Sequence, residues 1–150
     1  MRATTNTKLH DPEFVRDEEG TIIPTVENFY NYCSLRRLMG SRCKKCGMLA
    51  CPPRRICQGC LGAETEWVEL NGTGALLTYT IIHFPPTHFQ SLAPYAVGIV
   101  KLDEGPNLPA MIKNVNFEKL KIGIPLQIDF EISSPEDWPK WPRYYFKPGN

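Results

Sequence analysis

Two cysteine pairs, Cys43-x-x-Cys46 and Cys57-x-x-Cys60, stand ten residues apart and constrain the fold of this chain more than any other feature. A two-residue spacer lets both sulfurs of a pair reach one ion without strain, and two such knuckles complete a tetrahedron of soft ligands suited to Zn2+. Gly47 follows the first knuckle and Gly59 sits inside the second, small residues that fit tight turns. A rubredoxin-type iron site takes the same spacing, so the ion expected at Cys43, Cys46, Cys57 and Cys60 is zinc, with iron the alternative. A disulfide framework is the weaker third choice in a reducing compartment. Four cysteine ligands leave no position for a substrate, so the expected role is to hold a small ribbon together, with catalysis the minor alternative. The other thiols, Cys33 and Cys51, read as small buried hydrophobes. A lowered thiol pKa at Cys51, beside Arg54 and Arg55, is the competing reading.

Charge is distributed unevenly around these knuckles. The 150 residues carry 17 Lys and Arg against 16 Asp and Glu, a net charge of +1, which excludes a strongly basic tail or a highly charged disordered chain. Residues 28–63 nevertheless hold Arg36, Arg37, Arg42, Lys44, Lys45, Arg54 and Arg55 and no acidic residue, while the flanking segments are acidic on balance. Such a field suits a polyanion or an acidic protein surface. Pairing with the acidic segments of the same chain is the simpler reading. The phosphates of a ligand such as coenzyme A would need only two or three of these cations.

Three segments follow from the pattern: an arm and helix over 1–37, the ribbon over 38–66 and a β module over 67–150. Residues 1–22 are polar and turn-rich, as expected of an extended arm. Thr25 can cap a helix, and Val26, Phe29, Tyr30 and Cys33 fall at i, i+3, i+4 and i+7, one helical stripe. Beyond the ribbon, residues 72–83, 95–102, 108–114, 124–132 and 143–146 read as strands, the second and third joined by the turn signal Asp103-Glu104-Gly105-Pro106-Asn107. Five strands without βαβ spacing predict a mainly β chain ending in a five-stranded Greek-key barrel of the OB type, a sandwich fragment being the alternative. The proline-rich pieces 83–88 and 138–142 read as loop or tail. No apolar run approaches the roughly 20 residues that span a bilayer, and the N-terminus has no apolar signal core, so the expectation is a soluble cytoplasmic protein.

Catalytic signatures are missing: no phosphate loop, nucleophile elbow, GxGxxG or HExxH occurs. His83 and His88 flank a Pro-Pro turn and read as surface or packing residues. Asp103 and Glu104 read as exposed at a hairpin tip. A zinc ribbon joined to an OB-like barrel suggests, by fold analogy, single-stranded nucleic acid, with Tyr79, Phe84 or Phe89 available for stacking. The acidic balance of residues 64–150 argues against that partner.

Arg42 to Gly47, Pro52 to Arg54, Cys57-x-x-Cys60, Gly72-x-Gly74, Pro94-Tyr95-x-Val97, Leu102-Asp103-Glu104-Gly105 and Lys121-Ile122-Gly123 occur in that order. This ordered set resembles the zinc-ribbon/OB-fold family of acyl-CoA-associated proteins, over about residues 25 to 148. The resemblance implies a rubredoxin-like zinc ribbon in front of a C-terminal OB-fold barrel. It also implies a non-catalytic accessory subunit in a hetero-oligomer, docked on a thiolase-fold catalytic subunit and helping to enclose a CoA thioester. Members act with thiolases, among them the one that splits benzoylsuccinyl-CoA in aromatic degradation, or with acyl-CoA hydratases and lyases. On this reading Arg54 or Arg55 approaches a CoA phosphate or an acidic partner surface. Cys51 and the acidic arm depart from the family pattern and leave the four ligands untouched.

Overall fold

The computed structural model describes residues 12–131 and 143–149. Residues 1–11 of the expected arm and the proline-rich piece 138–142 lie outside the described residues.

The helix forms where its cap and spacing place it. The Oγ1 of Thr25 accepts the Asn28 N–H at 3.2 Å, and α1 runs Val26–Ser34 with Glu27 in the first turn facing the positive end of the helix dipole. Its buried face differs from the expected stripe: Phe29 and Cys33 are inside, but Asn28 and Tyr32 replace Val26 and Tyr30 as their buried neighbours. The arm is the cause. Phe14 packs its ring on Tyr32 at 4.8 Å, Val15 is hydrogen-bonded to Asn28, and Arg16 pairs with Ile22 in a β-bridge. Residues expected to extend freely therefore cover one side of α1, as far as they are described.

The ribbon is a three-stranded antiparallel sheet in the order β2-β1-β3, built from β1 (Leu38–Cys43), β2 (Leu49–Ala50) and β3 (Thr65–Leu70). β1 and β3 pair over six residues, from Leu38 opposite Leu70 to Cys43 opposite Thr65. The pattern reading missed β3 because its Thr-Glu-Trp-Val-Glu-Leu run mixes charged residues into a half-buried strand. Its Trp67 donates to the Ile22 carbonyl at 2.8 Å and ties the arm to the sheet.

Five strands close the expected barrel in the order β4-β5-β6-β8-β7: β4 (Thr73–Ile82), β5 (Tyr95–Leu102), β6 (Asn107–Ile112), β7 (Pro125–Glu131) and β8 (Arg143–Pro148). A bulge between Leu76 and Thr78 breaks the register of β4 against β5, while the start of β4 also pairs with β7. Closure is made where Ile112 of β6 meets Phe146 of β8 in parallel pairing. Inside lie Leu76, Val100, Leu108, Leu126 and Phe146, all 1% exposed or less and each contributing about 2–3 kcal/mol by burial.

Ribbon and barrel share one core. Phe29 and Cys33 of α1, Leu38 and Leu70 of the ribbon, and Phe130 and Phe146 of the barrel belong to one buried cluster, and Phe29 meets Tyr144 edge-on at 5.8 Å. Only Asn71 and Gly72 connect β3 to β4. Gly72 has φ +75°, its carbonyl accepts the Ile128 N–H at 2.7 Å, and a Cβ there would overlap Ile128 Cγ2. No helix among the described residues is long and apolar enough to cross a membrane.

A candidate metal centre at the ribbon tip

β1 delivers Cys43 at its end, and the turn into β2 carries Cys46. The loop from β2 to β3 carries Cys57 and Cys60 back over them. Both knuckles use the same hydrogen bonds. The Cys43 N–H donates to the Met48 carbonyl and the Gly47 N–H to the Cys43 carbonyl, at 2.9 and 2.8 Å. The Cys57 N–H donates to Gly62 and the Leu61 N–H to Cys57, both at 2.9 Å.

These turns bring the four sulfurs together. Cys43 and Cys60 lie 3.5 Å apart, Cys46 and Cys57 3.4 Å apart, and all four Sγ atoms fall within 4.8 Å of one another. A tetrahedron with Zn–S bonds of about 2.3 Å has edges of roughly 3.8 Å, so the quartet fits such an ion. It is the one group of three or more metal-type side chains among the described residues; His83 and His88 are not part of it. The backbone favours thiolates. The Cys46 N–H, then that of Lys45, pulls the Cys43 thiol down to about 6, and the Cys60 and Gly59 N–H groups lower Cys57. At Cys46 the Met48 N–H also acts downward, but the Cys57 sulfur and the other thiols outweigh it and push the group to about 12. Charge accumulating on the neighbouring sulfurs thus holds the Cys46 proton, which a cation would displace.

Cys33 and Cys51 take no part. Both are buried, and desolvation pushes each thiol up to about 12. The lowered pKa considered for Cys51 is therefore wrong: its Sγ lies 3.9 Å from the Met39 carbonyl, inside the molecule, whereas Arg54 and Arg55 are exposed. None of the six cysteines forms a disulfide.

The basic stretch divides. Arg37 makes a two-pronged contact with Glu69 at 3.2 Å and Arg36 pairs with Asp129 at 3.5 Å, so these two join the chain's own acidic groups. Arg42, Lys44, Lys45, Arg54 and Arg55 make no ion pair among the described residues. Arg54 and Arg55 face different surroundings. Arg54, whose backbone N–H donates to Ser41 Oγ at 2.9 Å, borders Met48 and Gln58. Arg55 and Lys44 line a groove of about 510 Å3 with Ile22 and Trp67, where Asp17, Glu64 and Glu66 offset their charge.

Sequence reasoning also missed the work of the β5–β6 tip. Glu104 accepts the Asn71 N–H at 2.8 Å and Asp103 accepts the Thr73 hydroxyl at 2.6 Å, so both carboxylates hold the joint between ribbon and barrel. No local signal links a hairpin tip to a segment about thirty residues earlier.

A family model described as ChsH2, C-terminal OB-fold domain, matches residues 67–131. A DUF35 domain-containing scaffold protein of Methanocaldococcus jannaschii is 36% identical over 100 residues, covering 66% of this chain and 68% of that protein. A probable enoyl-CoA hydratase alpha subunit of Thermomonospora curvata is 36% identical over 101 residues, 67% of this chain and 31% of that protein. The benzoylsuccinyl-CoA thiolase subunit BbsA of Thauera aromatica is 33% identical over 76 residues, 51% of each. Among solved structures, an Ltp2-ChsH2(DUF35) aldolase superposes with a TM-score of 0.69 at 31% identity, covering 81% of this chain and 91% of that one.

Proposed function

We propose, for a chain that belongs to the DUF35 family, that it is a metal-stabilised scaffold subunit docking a thiolase-fold catalytic subunit and helping to hold a CoA thioester. The observation that carries this reading is the likeness to the Ltp2-ChsH2(DUF35) aldolase, which extends over 91% of that chain. Relatives described as scaffold proteins support the same role. On this reading the arm and helix take residues 1–37 and the ribbon begins at 38; because β3 pairs with β1, the ribbon runs past the expected boundary at 66 to Leu70 before the barrel takes over. Cys43, Cys46, Cys57 and Cys60 hold Zn2+, and a cytosolic setting keeps their thiols reduced. The ion supplies a cross-link that a tip with so few buried residues needs, and all four ligand positions are protein sulfurs. Arg54 or Arg55 reaches a CoA phosphate or the partner's surface, and both are exposed enough to do so.

The reaction of the complex is thiolytic cleavage or formation of a C–C bond, performed by residues of the catalytic subunit. Benzoylsuccinyl-CoA thiolysis is the narrower assignment, supported by the likeness to BbsA over half of each chain. Service to an acyl-CoA hydratase or lyase is the second reading, favoured by the Thermomonospora relative. A nucleic-acid partner is disfavoured because Arg36 and Arg37 are already paired with Asp129 and Glu69.

Purification from the native source tests this. The expected result is a thiolase-fold companion, about one zinc ion per chain, and turnover of a β-ketoacyl-CoA only when the companion is present. Turnover by the isolated chain at an ordinary enzymatic rate would overturn the scaffold role, and an iron content in place of zinc would correct the metal.

A further inference from the structure

The two knuckles are one turn built twice, and they differ where the turn is most demanding. The residue after the second cysteine must adopt left-handed backbone: φ is +79° at Gly47 and +60° at Leu61. Glycine does so freely, whereas the Cβ of any other residue crowds the following carbonyl, which makes this an unfavourable place for leucine. Burial gives nothing back, since Leu61 is 77% exposed. Nor does the turn need a leucine to close, because glycine makes the same turn in the first knuckle.

Leu61 has company. Met48 and Ile56 on the same pair of knuckles are 49% and 57% exposed, and the Met48 thioether lies over Gly59, in contact range of the space a Cβ would take there. The Lys45 Cβ lies within contact range of the space a Cβ would take at Gly62, the residue after Leu61, and Arg54 borders Met48. Neither cation has a carboxylate within 4.0 Å among the described residues. The tip thus carries three exposed apolar side chains and two cations without a carboxylate partner, and one of the three sits in a conformation that costs stability. Strained backbone clusters at binding sites and switches, so an exposed apolar residue that keeps it points to a contact made outside the chain.

We propose that the exposed apolar side chains of the tip, Leu61 with Met48 and Ile56, form a docking face whose occupant is an apolar hollow with an acidic rim on the catalytic subunit. Charge complementarity selects that occupant: Lys45 and Arg54 would meet carboxylates while the three apolar side chains leave water. The inference rests on the scaffold reading above and names the face by which the scaffold holds its enzyme.

The test uses the full metal-loaded chain and the thiolase-fold subunit that co-purifies with it. Leu61→Asn keeps a side chain that tolerates left-handed backbone, and Ile56→Ser trims the face without touching the turn. Both variants are expected to bind one metal ion as the parent does. Leu61→Asn is expected to melt no lower than the parent, yet each variant should weaken the complex at least tenfold, more steeply at low salt for Arg54→Glu. Unchanged affinity of Leu61→Asn and Ile56→Ser for a subunit that the parent binds would overturn the docking face and leave the scaffold reading standing. A parent chain that binds no catalytic subunit would remove both. Binding of a single-stranded oligonucleotide, weakened by the same substitutions and steeply by salt, would assign the face to nucleic acid and overturn the proposal.

Discussion

Asn28 decides whether the arm is part of the fold. Its side chain is 0% exposed, its Oδ1 accepts the Val15 N–H at 2.8 Å, and its Nδ2 donates to the carbonyls of Val15 and Ile23 at 2.8 and 2.7 Å. Val15 is paired on both its backbone groups, as though another strand lay beside it. Asn28→Ala removes the three hydrogen bonds to the arm, about 3 kcal/mol at a net 1 kcal/mol each, besides the long one from Asn31 at 3.4 Å. The orphaned peptide groups would cost more if they stayed buried, but the arm can lift and rehydrate. The loss is therefore capped by what else holds the arm, the Phe14–Tyr32 ring contact and the Trp67–Ile22 and Asn31–Glu13 hydrogen bonds, roughly 1 kcal/mol each. The expected outcome is a loss of about 2–3 kcal/mol confined to residues before Thr25, with the barrel intact. Amide hydrogen exchange reads this directly: protection at the Val15 N–H should fall about 30- to 150-fold, at 1.4 kcal/mol per decade. The urea midpoint of the barrel should hardly move. Asn28→Asp, which keeps the acceptor and loses both donors, should also release the arm. Unchanged protection at Val15 in Asn28→Ala, with α1 still formed, would refute the reasoning, because the arm would then be held by contacts other than these.

Other outcomes can be measured on the same preparation. Gly72→Ala places a Cβ against Ile128 at a φ of +75° and should lower stability by about 2–4 kcal/mol in urea unfolding; a loss under about 1 kcal/mol would mean the joint relaxes freely. After metal chelation an aromatic disulfide reagent should reach the four thiols of the tip, Cys46 later than Cys43 and Cys57 because its neighbours hold its proton, while Cys33 and Cys51, pushed up to about 12 by burial, react only on unfolding. Cys51 labelled as fast as a free thiol would contradict its place in the core. The Lys147 ammonium at 2.9 Å, with the Phe130 N–H, holds the Asp129 carboxyl below its usual value, and Lys113 does the same for Glu131. A depressed folded-state pKa stabilises above the unfolded value and is lost as pH falls through the folded one. Melting temperature should therefore be insensitive to these groups at neutral pH and decline in acid below about pH 4. Asp129→Asn should flatten that acid limb, and an unaltered limb would assign it to other carboxylates.

How much was legible from the residues depended on how local each signal was. Thr25 and the apolar spacing placed α1, and period-two alternation placed the barrel strands within a residue or two, because caps and pleats are set by neighbours in the chain. The helix's buried face was read one position off. The stripe assumed a single partner surface, and the arm supplied a second that covers Asn28 and Tyr32. The charged residues in β3 hid a strand whose existence depends on pairing with β1. Arg54 and Arg55 look like a pair in the chain, but the turn sends one toward Met48 and the other toward Trp67.

The sequence by itself determined the metal-type quartet, the five strands of the barrel and the family pattern, since two-residue spacers and alternation are short-range geometry. Only the tertiary structure decided that Asp103 and Glu104 clasp the ribbon–barrel joint, that Arg36 and Arg37 are spent on internal partners, and that Leu61 stands strained and exposed on the second knuckle. Each of these depends on which distant segments meet, or on a backbone angle imposed by closing the turn. The reason is physical: a side chain's local preference is a fraction of a kcal/mol to about 1 kcal/mol, and long-range packing and pairing outweigh it.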